Sequence, residues 1–354
     1  MTVSPHSLSL MVDNDGTLSS PQTVAWVDGG IELVDQTRIP FEITMVRCAN
    51  VANLVDCIKR LVVRGAPAIG VAGAYGVALA ALHHNPLTDA DAYLSDVANL
   101  RSARPTAVNL AKMVDRVASI ATSHESALAE AHNVRLEELN ASRAMGDLGA
   151  DLLLDLCGRK QLRVMTICNT GGLATVERGT ALAVIQTIYE RGFLEEAIPL
   201  ETRPLLQGGR LTTWELSRMG APFRLIVDSA AAGLVCRGFV DVIVAGADRV
   251  SRNGDTANKV GTLALALAAN YAGIPFIIVA PESTVDIETP NGDAIEIEDR
   301  DGDEVSRFGD FRVCPDGTPS INPAFDVTPV GLIDALVTDK RVVRFRLGEK
   351  LADQ

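Results

Sequence analysis

Residues 240–262 read V-D-V-I-V-A-G-A-D-R-V-S-R-N-G-D-T-A-N-K-V-G-T, and this stretch decides the fold. An apolar, β-branched run ends abruptly at Asp248, crosses a polar loop and reaches Asn258 and Lys259 ahead of an Ala/Leu-rich segment. A strand buried on both faces of a parallel sheet reads as such a continuous apolar run. In open α/β sheets, ligands bind beyond the carboxyl ends of the strands. Asp248 therefore falls where a ligand crevice is expected. Asn258 and Lys259 are read as opening the following helix, where free backbone N–H groups and the helix dipole favour an anion and a lysine adds a full charge. The stretch reads as an acid beside a phosphate pocket.

Working outward, the same strand–turn–helix rhythm fills the chain beyond Gly158. Candidate strands are 163–168, 197–201, 224–228, 241–245 and 276–280, with helices at 179–191, 208–218, 229–237 and 257–271. That alternation predicts a mostly parallel sheet with helices on both faces. Cys168, Glu201, Asp228 and Asp248 close the strands, which gathers reactive side chains along one edge. Upstream the pattern differs. Residues 22–45 read as short strands with an Asp28-Gly29 hairpin signal. Helical spacing then runs through 50–64, 68–82, 89–100, 106–123 and 126–156, and the Ala/Gly-rich run 68–82 predicts a tightly packed helix. The expected fold class is α/β, divided into an N-terminal extension (1–20), a small β plus helical domain (21–150) and a catalytic α/β domain (151–354).

The 354-residue length supports two domains, and 47% hydrophobic residues are enough for a sizeable core. A net charge of -13 argues against nucleic acid or an anionic membrane as partner, since both require a basic footprint. An anionic small substrate would need a locally positive pocket. The six cysteines form no C-x-x-C pair and no zinc spacing, so no metal is expected and a reducing cytoplasm fits. The N-terminus lacks the pattern of a signal peptide, and the most apolar window, 262–280, divides into a helix and a strand and not into a membrane span. The acidic stretch 296–304 reads as a solvated loop.

Cys168 lies in T-I-C-N-T-G-G-L-A-T (166–175), where a strand enters a Gly-Gly turn before a helix. A thiol there has its thiolate favoured and can act as acid, base or nucleophile; the bland alternative is a small core residue, which is the default for the five other cysteines. Asp248 is either a general acid or base with a raised pKa, or a helix N-cap or ion-pair partner of Arg249. Arg64 in R-G-A-P-A and Arg104 in R-P-T-A sit on turns suited to presenting a guanidinium to phosphate, with a surface salt bridge as the alternative. Two patterns are decoys. Residues 7–18, S-L-S-L-M-V-D-N-D-G-T-L, look like the aspartyl-phosphate loop of haloacid-dehalogenase-like phosphatases, yet read better as a strand pair across an Asn/Asp-Gly turn. Residues 70–76, G-V-A-G-A-Y-G, have the wrong spacing for a dinucleotide fingerprint and no preceding strand, so no nicotinamide cofactor is assigned.

In order, R-G-A-P-A-I-G (64–70), R-P-T-A-V-N-L (104–110), C-N-T-G-G-L-A-T (168–175), E-T-R-P-L-L-Q-G-G-R-L-T (201–212), the 246–262 segment and N-P-A-F-D-V-T-P (322–329) resemble the methylthioribose-1-phosphate isomerase family. That family shares a superfamily with alpha-type subunits of the translation factor eIF2B and with archaeal ribose-1,5-bisphosphate isomerase. The resemblance runs from about Val24 almost to the C-terminus. It implies a mostly helical N-terminal domain, a C-terminal Rossmann-like domain, a homodimer, no cofactor, and an aldose-to-ketose conversion of a five-carbon sugar 1-phosphate in methionine salvage. Carried over by motif, Cys168 and Asp248 are the catalytic pair, and Arg64, Gly65, Ala66, Arg104, Gln207, Asn258 and Lys259 contact substrate and phosphate.

Two departures bear on substrate. Val176-Glu177-Arg178 replaces a small residue, glycine and an aromatic before Gly179-Thr180-Ala181, and Val305-Ser306-Arg307 replaces a segment that often carries a histidine. If Glu177 or Arg178 faces the pocket, a more polar sugar than the methylthio one would suit it. 5-Deoxyribose 1-phosphate and ribose 1,5-bisphosphate thus stay open as substrates, and a non-catalytic, eIF2B-like sensing subunit is the alternative of a different class.

Overall fold

The computed structural model describes residues 22–104, 108–158 and 160–351. The extension and its 7–18 decoy lie outside the described residues, as do Pro105, Thr106 and Ala107.

The chain opens with an antiparallel sheet of order β1-β2-β3: β1 (Val24–Val27), β2 (Gly30–Val34) and β3 (Met45–Cys48). Asp28 and Gly29 have φ of 46° and 71°; a two-residue hairpin turn needs φ > 0 at both positions, and the Asp-Gly signal supplies it. Helices α1 (Val51–Lys59), α2 (Ala66–His83), α3 (Ala90–Arg101), α4 (Val108–Ile120) and α5 (His124–Cys157) follow. The apolar residues of α2 point all round it, as befits a helix enclosed by others, and α3, α4 and α5 pack around it. Its glycines make that closeness possible. A Cβ on Gly73 would lie 2.6 Å from Leu110 Cδ1, and one on Gly76 2.7 Å from Leu54 Cδ2. Among the described residues α2 alone is long and apolar enough to cross a membrane, and here it is the centre of the helical core.

Helix α5 opens with a capping box between Ser123 and Ser126. Its 34 residues extend about 50 Å at 1.5 Å per residue. Ala131, Val134 and Leu139 belong to the core around α2, whereas Met145, Leu152 and Leu153 belong to a second core on the large sheet. One helix thus joins both.

The second half contains β4 (Leu162–Thr166), α6 (Ala181–Glu190), β5 (Leu194–Pro199), α7 (Thr213–Met219), α8 (Ala231–Cys236), β6 (Val242–Ala245), β7 (Arg249–Ser251), β8 (Thr256–Lys259), α9 (Thr262–Ala272), β9 (Phe276–Val279), β10 (Val285–Asp286), α10 (Asp303–Ser306), β11 (Arg307–Phe308), β12 (Phe311–Arg312), β13 (Phe325–Thr328), β14 (Ala335–Val337) and β15 (Val342–Val343). The six-stranded sheet has the order β15-β14-β9-β6-β4-β5, parallel except for β15. Val164, Val244, Ile277 and Val337 pack with α5 and α6 on one face, and Met165, Ile243, Ile278 and Leu336 pack with α8 and α9 on the other. Both faces are buried, which is why these strands read as unbroken apolar runs. The strand order reverses at β4, so the chain leaves β4 and β6 on opposite sides of one crevice.

Two expectations fail. Residues 224–228 form no strand and touch β5 and its continuation through single bridges, Ala197 to Phe223 and Leu200 to Ile226; Leu225 and Val227 are exposed. Residues 256–259 are not helical either. They form β8, which pairs with β7 and β13 in a four-stranded sheet of order β10-β7-β8-β13. Asn253-Gly254, with Gly254 at φ 96°, makes the turn between β7 and β8, and α9 starts only after Gly261 at φ 105°. The helix expected at 208–218 begins as a π-helical turn, Gly208–Thr212, before α7.

Candidate active site

The chain beyond β4 rises to Cys168, a half-buried residue with φ 68°. Its N–H donates to Thr202 Oγ1 (2.9 Å) and its carbonyl accepts from Thr212 Oγ1 (2.6 Å). Beyond the neighbouring β6 the chain passes through Gly246 to Asp248, whose N–H donates to Ala257 O (2.9 Å). Cys168 and Asp248 line one cavity of about 380 Å³. Opposite them stands the N-terminus of α2. Gly65, at φ 89°, caps it so closely that a Cβ would lie 2.6 Å from Ala174 Cα. The first turn of α2, Ala66 to Ile69, thus faces the cavity with its positive dipole end.

All nine residues singled out by sequence, Cys168, Asp248, Arg64, Gly65, Ala66, Arg104, Gln207, Asn258 and Lys259, line this cavity. Gln207 is buried, and with its amide turned as its neighbours require it accepts from Arg64 (3.2 Å) and donates to Thr202 O (3.1 Å). Asn258 Nδ2 donates to Thr262 Oγ1 (2.9 Å). Lys259 is buried, donates to Ala324 O (2.6 Å) and lies over the Phe325 ring (4.7 Å). Asn258 and Lys259 reach the cavity from strand β8, so the helix terminus that lines it belongs to α2 and not to α9.

Asp248 is exposed into the cavity, and the protein packed around it pushes its carboxyl above the usual range. Lys259, Arg104 and Arg64 oppose the shift and Glu298 adds to it. Burial in turn lowers Lys259, Arg64 and Arg104. Cationic and acidic groups therefore share one concave space walled by protein, where charges interact more strongly than on an open surface. Neither alternative role for Asp248 holds: it precedes a strand and not a helix, and Arg249 pairs with Asp286 (3.7 Å).

Sequence reasoning missed several residues. Glu296, Glu298 and Arg300, read as part of a solvated loop, line the cavity, and Arg300 is largely buried against Glu298 and Glu304. A lone arginine, Arg300, inside that acidic run was the available signal. Asn109 also lines the cavity and donates to Ala66 O (2.9 Å). Conversely, Glu201 does not line it, and Asp228 instead accepts the Thr202 and Arg203 N–H groups (2.8 and 2.7 Å). Glu177 pairs with Arg135 (3.5 Å), Arg178 with Glu190 (2.7 Å) and Arg307 with Asp303 (3.4 Å), and none of the three lines the cavity. Among the other cysteines, Cys48 and Cys57 are core residues, but Cys236 is exposed. Among the described residues, no three His, Cys, Asp or Glu side chains gather in a way that could hold a metal.

The sequence pattern of the initiation factor 2 subunit family matches residues 62–344. The chain is 48% identical over 324 residues to a probable bifunctional methylthioribose-1-phosphate isomerase/methylthioribulose-1-phosphate dehydratase of Nocardia farcinica, covering 91% of this chain but only 59% of that longer protein. It is 48% identical to the methylthioribose-1-phosphate isomerase of Alkalilimnicola ehrlichii (90% and 93% of the two chains). It is 45% identical to the 5-deoxyribose 1-phosphate isomerase of Moorella thermoacetica (91% and 93%). The crystal structure of 5-methylthioribose 1-phosphate isomerase from Pyrococcus horikoshii superposes with a TM-score of 0.86 at 38% identity, covering 92% and 93% of the two chains.

Proposed function

The chain belongs to the initiation factor 2 subunit family, and from that premise we propose that it is an aldose–ketose isomerase converting 5-methylthioribose 1-phosphate, or the closely related 5-deoxyribose 1-phosphate, to the corresponding ribulose 1-phosphate. The observation that carries this reading is the joint placement of Cys168 and Asp248 in one cavity with Arg64, Arg104 and Lys259. A subunit that only senses a sugar phosphate needs the cations but has no use for the thiol–carboxyl pair. Relatives named as isomerases at 45–48% identity support the same choice. The ion pairing of Glu177 and Arg178 away from the cavity lining removes the reason for favouring a more polar 5-substituent.

The chemistry follows from the substrate. Phosphate on the anomeric oxygen prevents spontaneous ring opening, so an acid must protonate the ring oxygen. Asp248, with its pKa raised by burial, is that acid. The Cys168 thiolate then removes the C2 proton, the resulting thiol exchanges with solvent and delivers a proton to C1 of the enol phosphate, and Asp248 regains its proton from the 2-hydroxyl as the ketone forms. Protons balance, and no redox partner is needed. Arg64, Arg104 and Lys259, with Gln207, Asn258 and the Gly65 and Ala66 backbone, hold the phosphate.

Positioned acid–base groups contribute about 10²–10⁴-fold, so Cys168→Ala and Asp248→Asn should each lower kcat by that order while the protein stays folded. Turnover in deuterium oxide should place solvent deuterium at C1. Near-normal activity of either variant removes the assigned pair, and full retention of a C2 label rules out the proton route.

We further read the parallel sheet as Rossmann-like, on its strand order and two-sided helical cover, and place the division between an N-terminal helical domain and this one near residue 150, where α5 passes between the cores. We also propose a cytoplasmic homodimer. Exposed Leu267 and Tyr271 on α9 provide apolar surface of the kind such contacts use, and light scattering at the mass of a single chain would refute the dimer.

A further inference from the structure

A non-glycine residue at positive φ is held there by its surroundings, at a cost of order 1–3 kcal/mol. Cys168 is such a residue, and both of its flanking peptide groups are pinned by hydroxyls, Thr202 on the N–H and Thr212 on the carbonyl. A carboxylate stands behind each threonine, bonded to the Thr202 backbone N–H on one side and reaching the Thr212 hydroxyl through the Asn169 amide on the other. On the Thr202 side it is Asp228, partly exposed. On the Thr212 side it is Glu215 of α7, which is buried. Asn169 Nδ2 lies 2.6 Å from Glu215 Oε1 and 3.4 Å from Thr212 Oγ1, while Glu215 Oε2 accepts the N–H groups of Gly172 (2.6 Å) and Leu173 (3.4 Å).

Glu215 therefore grips the turn that follows Cys168 at two points, through the neutral donors of Asn169, Gly172 and Leu173. Burying a carboxylate among neutral donors is costly, and if packing alone were needed an apolar side chain of similar volume would do. What a carboxylate offers is two oxygens that only accept. An amide in its place would turn an NH₂ against Asn169 Nδ2 or the Gly172 N–H. We propose that Glu215, acting through Asn169 and Thr212, is the positioning residue that fixes the Cys168 turn in its reactive geometry.

The assignment rests on the isomerase reading for its kinetic consequence, but not for its structural one. Misplacing a reacting group by about 1 Å can cost on the order of 10²-fold. Glu215→Gln should lower kcat on 5-methylthioribose 1-phosphate by about 10- to 100-fold with KM changed less than about twofold, because the phosphate contacts are untouched. It should also change the rate of Cys168 carboxamidomethylation by iodoacetamide, read on the Cys168 peptide by mass spectrometry, by about fivefold or more. Thr212→Val, which deletes the hydroxyl to the Cys168 carbonyl and preserves shape, should reproduce both effects and decides the matter if Glu215→Gln does not fold. Unchanged alkylation in a folded variant overturns the proposal, whatever kcat does. Because alkylation needs no substrate, a wild-type protein that fails to turn over the sugar phosphate would undo the isomerase reading and leave this test standing.

Discussion

At the scale of single residues, the balance of burial against hydrogen bonding sets the character of each acid. Glu138 shows this away from the cavity that holds Cys168. It is buried, and burial, with Asp339 and Glu137 nearby, pushes its carboxyl up to about 7. The sign follows from linkage. A folded pKa above the unfolded 4.5 means that the native state binds the proton more tightly, so the stability Glu138 contributes is present below about pH 4.5 and is lost as pH rises through about 7. Glu138→Gln cannot titrate and should gain on the wild type by up to a few kcal/mol between pH 5 and pH 8, at about 1.4 kcal/mol per unit of pKa shift. Urea midpoints at both pH values check this, and a parallel change in the two proteins would contradict it. Asp241 has the opposite sign. Its hydrogen bonds to Arg163 and Lys160 outweigh burial and hold it down at about 2, so its contribution fades only as pH falls below 3.8. Asp248, Cys168 and the two arginine turns were legible in the sequence because each stands on a turn after an apolar run or before a helix. Glu215 was not: it sits inside a helical stretch with no motif, and only its contacts reveal it.

At the scale of elements, the packing of α2 is the most specific claim of the fold. Small residues let α3, α4 and α5 approach its backbone, so added volume has nowhere to go. A Cβ on Gly73 would already meet Leu110 and, at 3.1 Å, Val114. Gly73→Val should cost about 1–3 kcal/mol or more by overpacking, whereas Gly233→Ala in α8, with nothing within 4 Å of its new Cβ, should gain up to about 1 kcal/mol from helix propensity. Thermal or urea unfolding measures both, and equal effects would contradict the packing described here. The Ala/Gly run gave this helix away in the sequence, as the Asp-Gly pair gave the first hairpin. The elements that escaped share a cause. Strand β8, T-A-N-K, has no β-branched periodicity beyond Thr256, and it is strand only because β7 and β13 pair with it on either side. Residues 224–228 have the apolar composition of a strand but lie beyond the edge of the sheet, where two isolated bridges do not make a ladder.

At the scale of the whole molecule, two cores share α5, and the cavity lies where the helical layer meets the carboxyl ends of the parallel strands. Its walls come from residues 64–66, 104, 168, 207, 248, 258–259, 298 and 300, among others, segments that no local pattern connects. Helix–strand alternation therefore announced the sheet and its crevice, and the motifs named Arg64, Arg104 and Lys259, while the addition of Lys112, Arg249 and Arg300, six cationic side chains in all within a chain of net charge -13, was visible only in three dimensions. This local inversion of charge is what an anionic sugar phosphate requires of an acidic protein. The measurement that bears most directly on the account is a phosphorus NMR time course of the purified protein with 5-methylthioribose 1-phosphate and, separately, 5-deoxyribose 1-phosphate. Replacement of the anomeric phosphate signal by that of a primary ketose phosphate is the expected result; an unchanged spectrum with both sugars would contradict it.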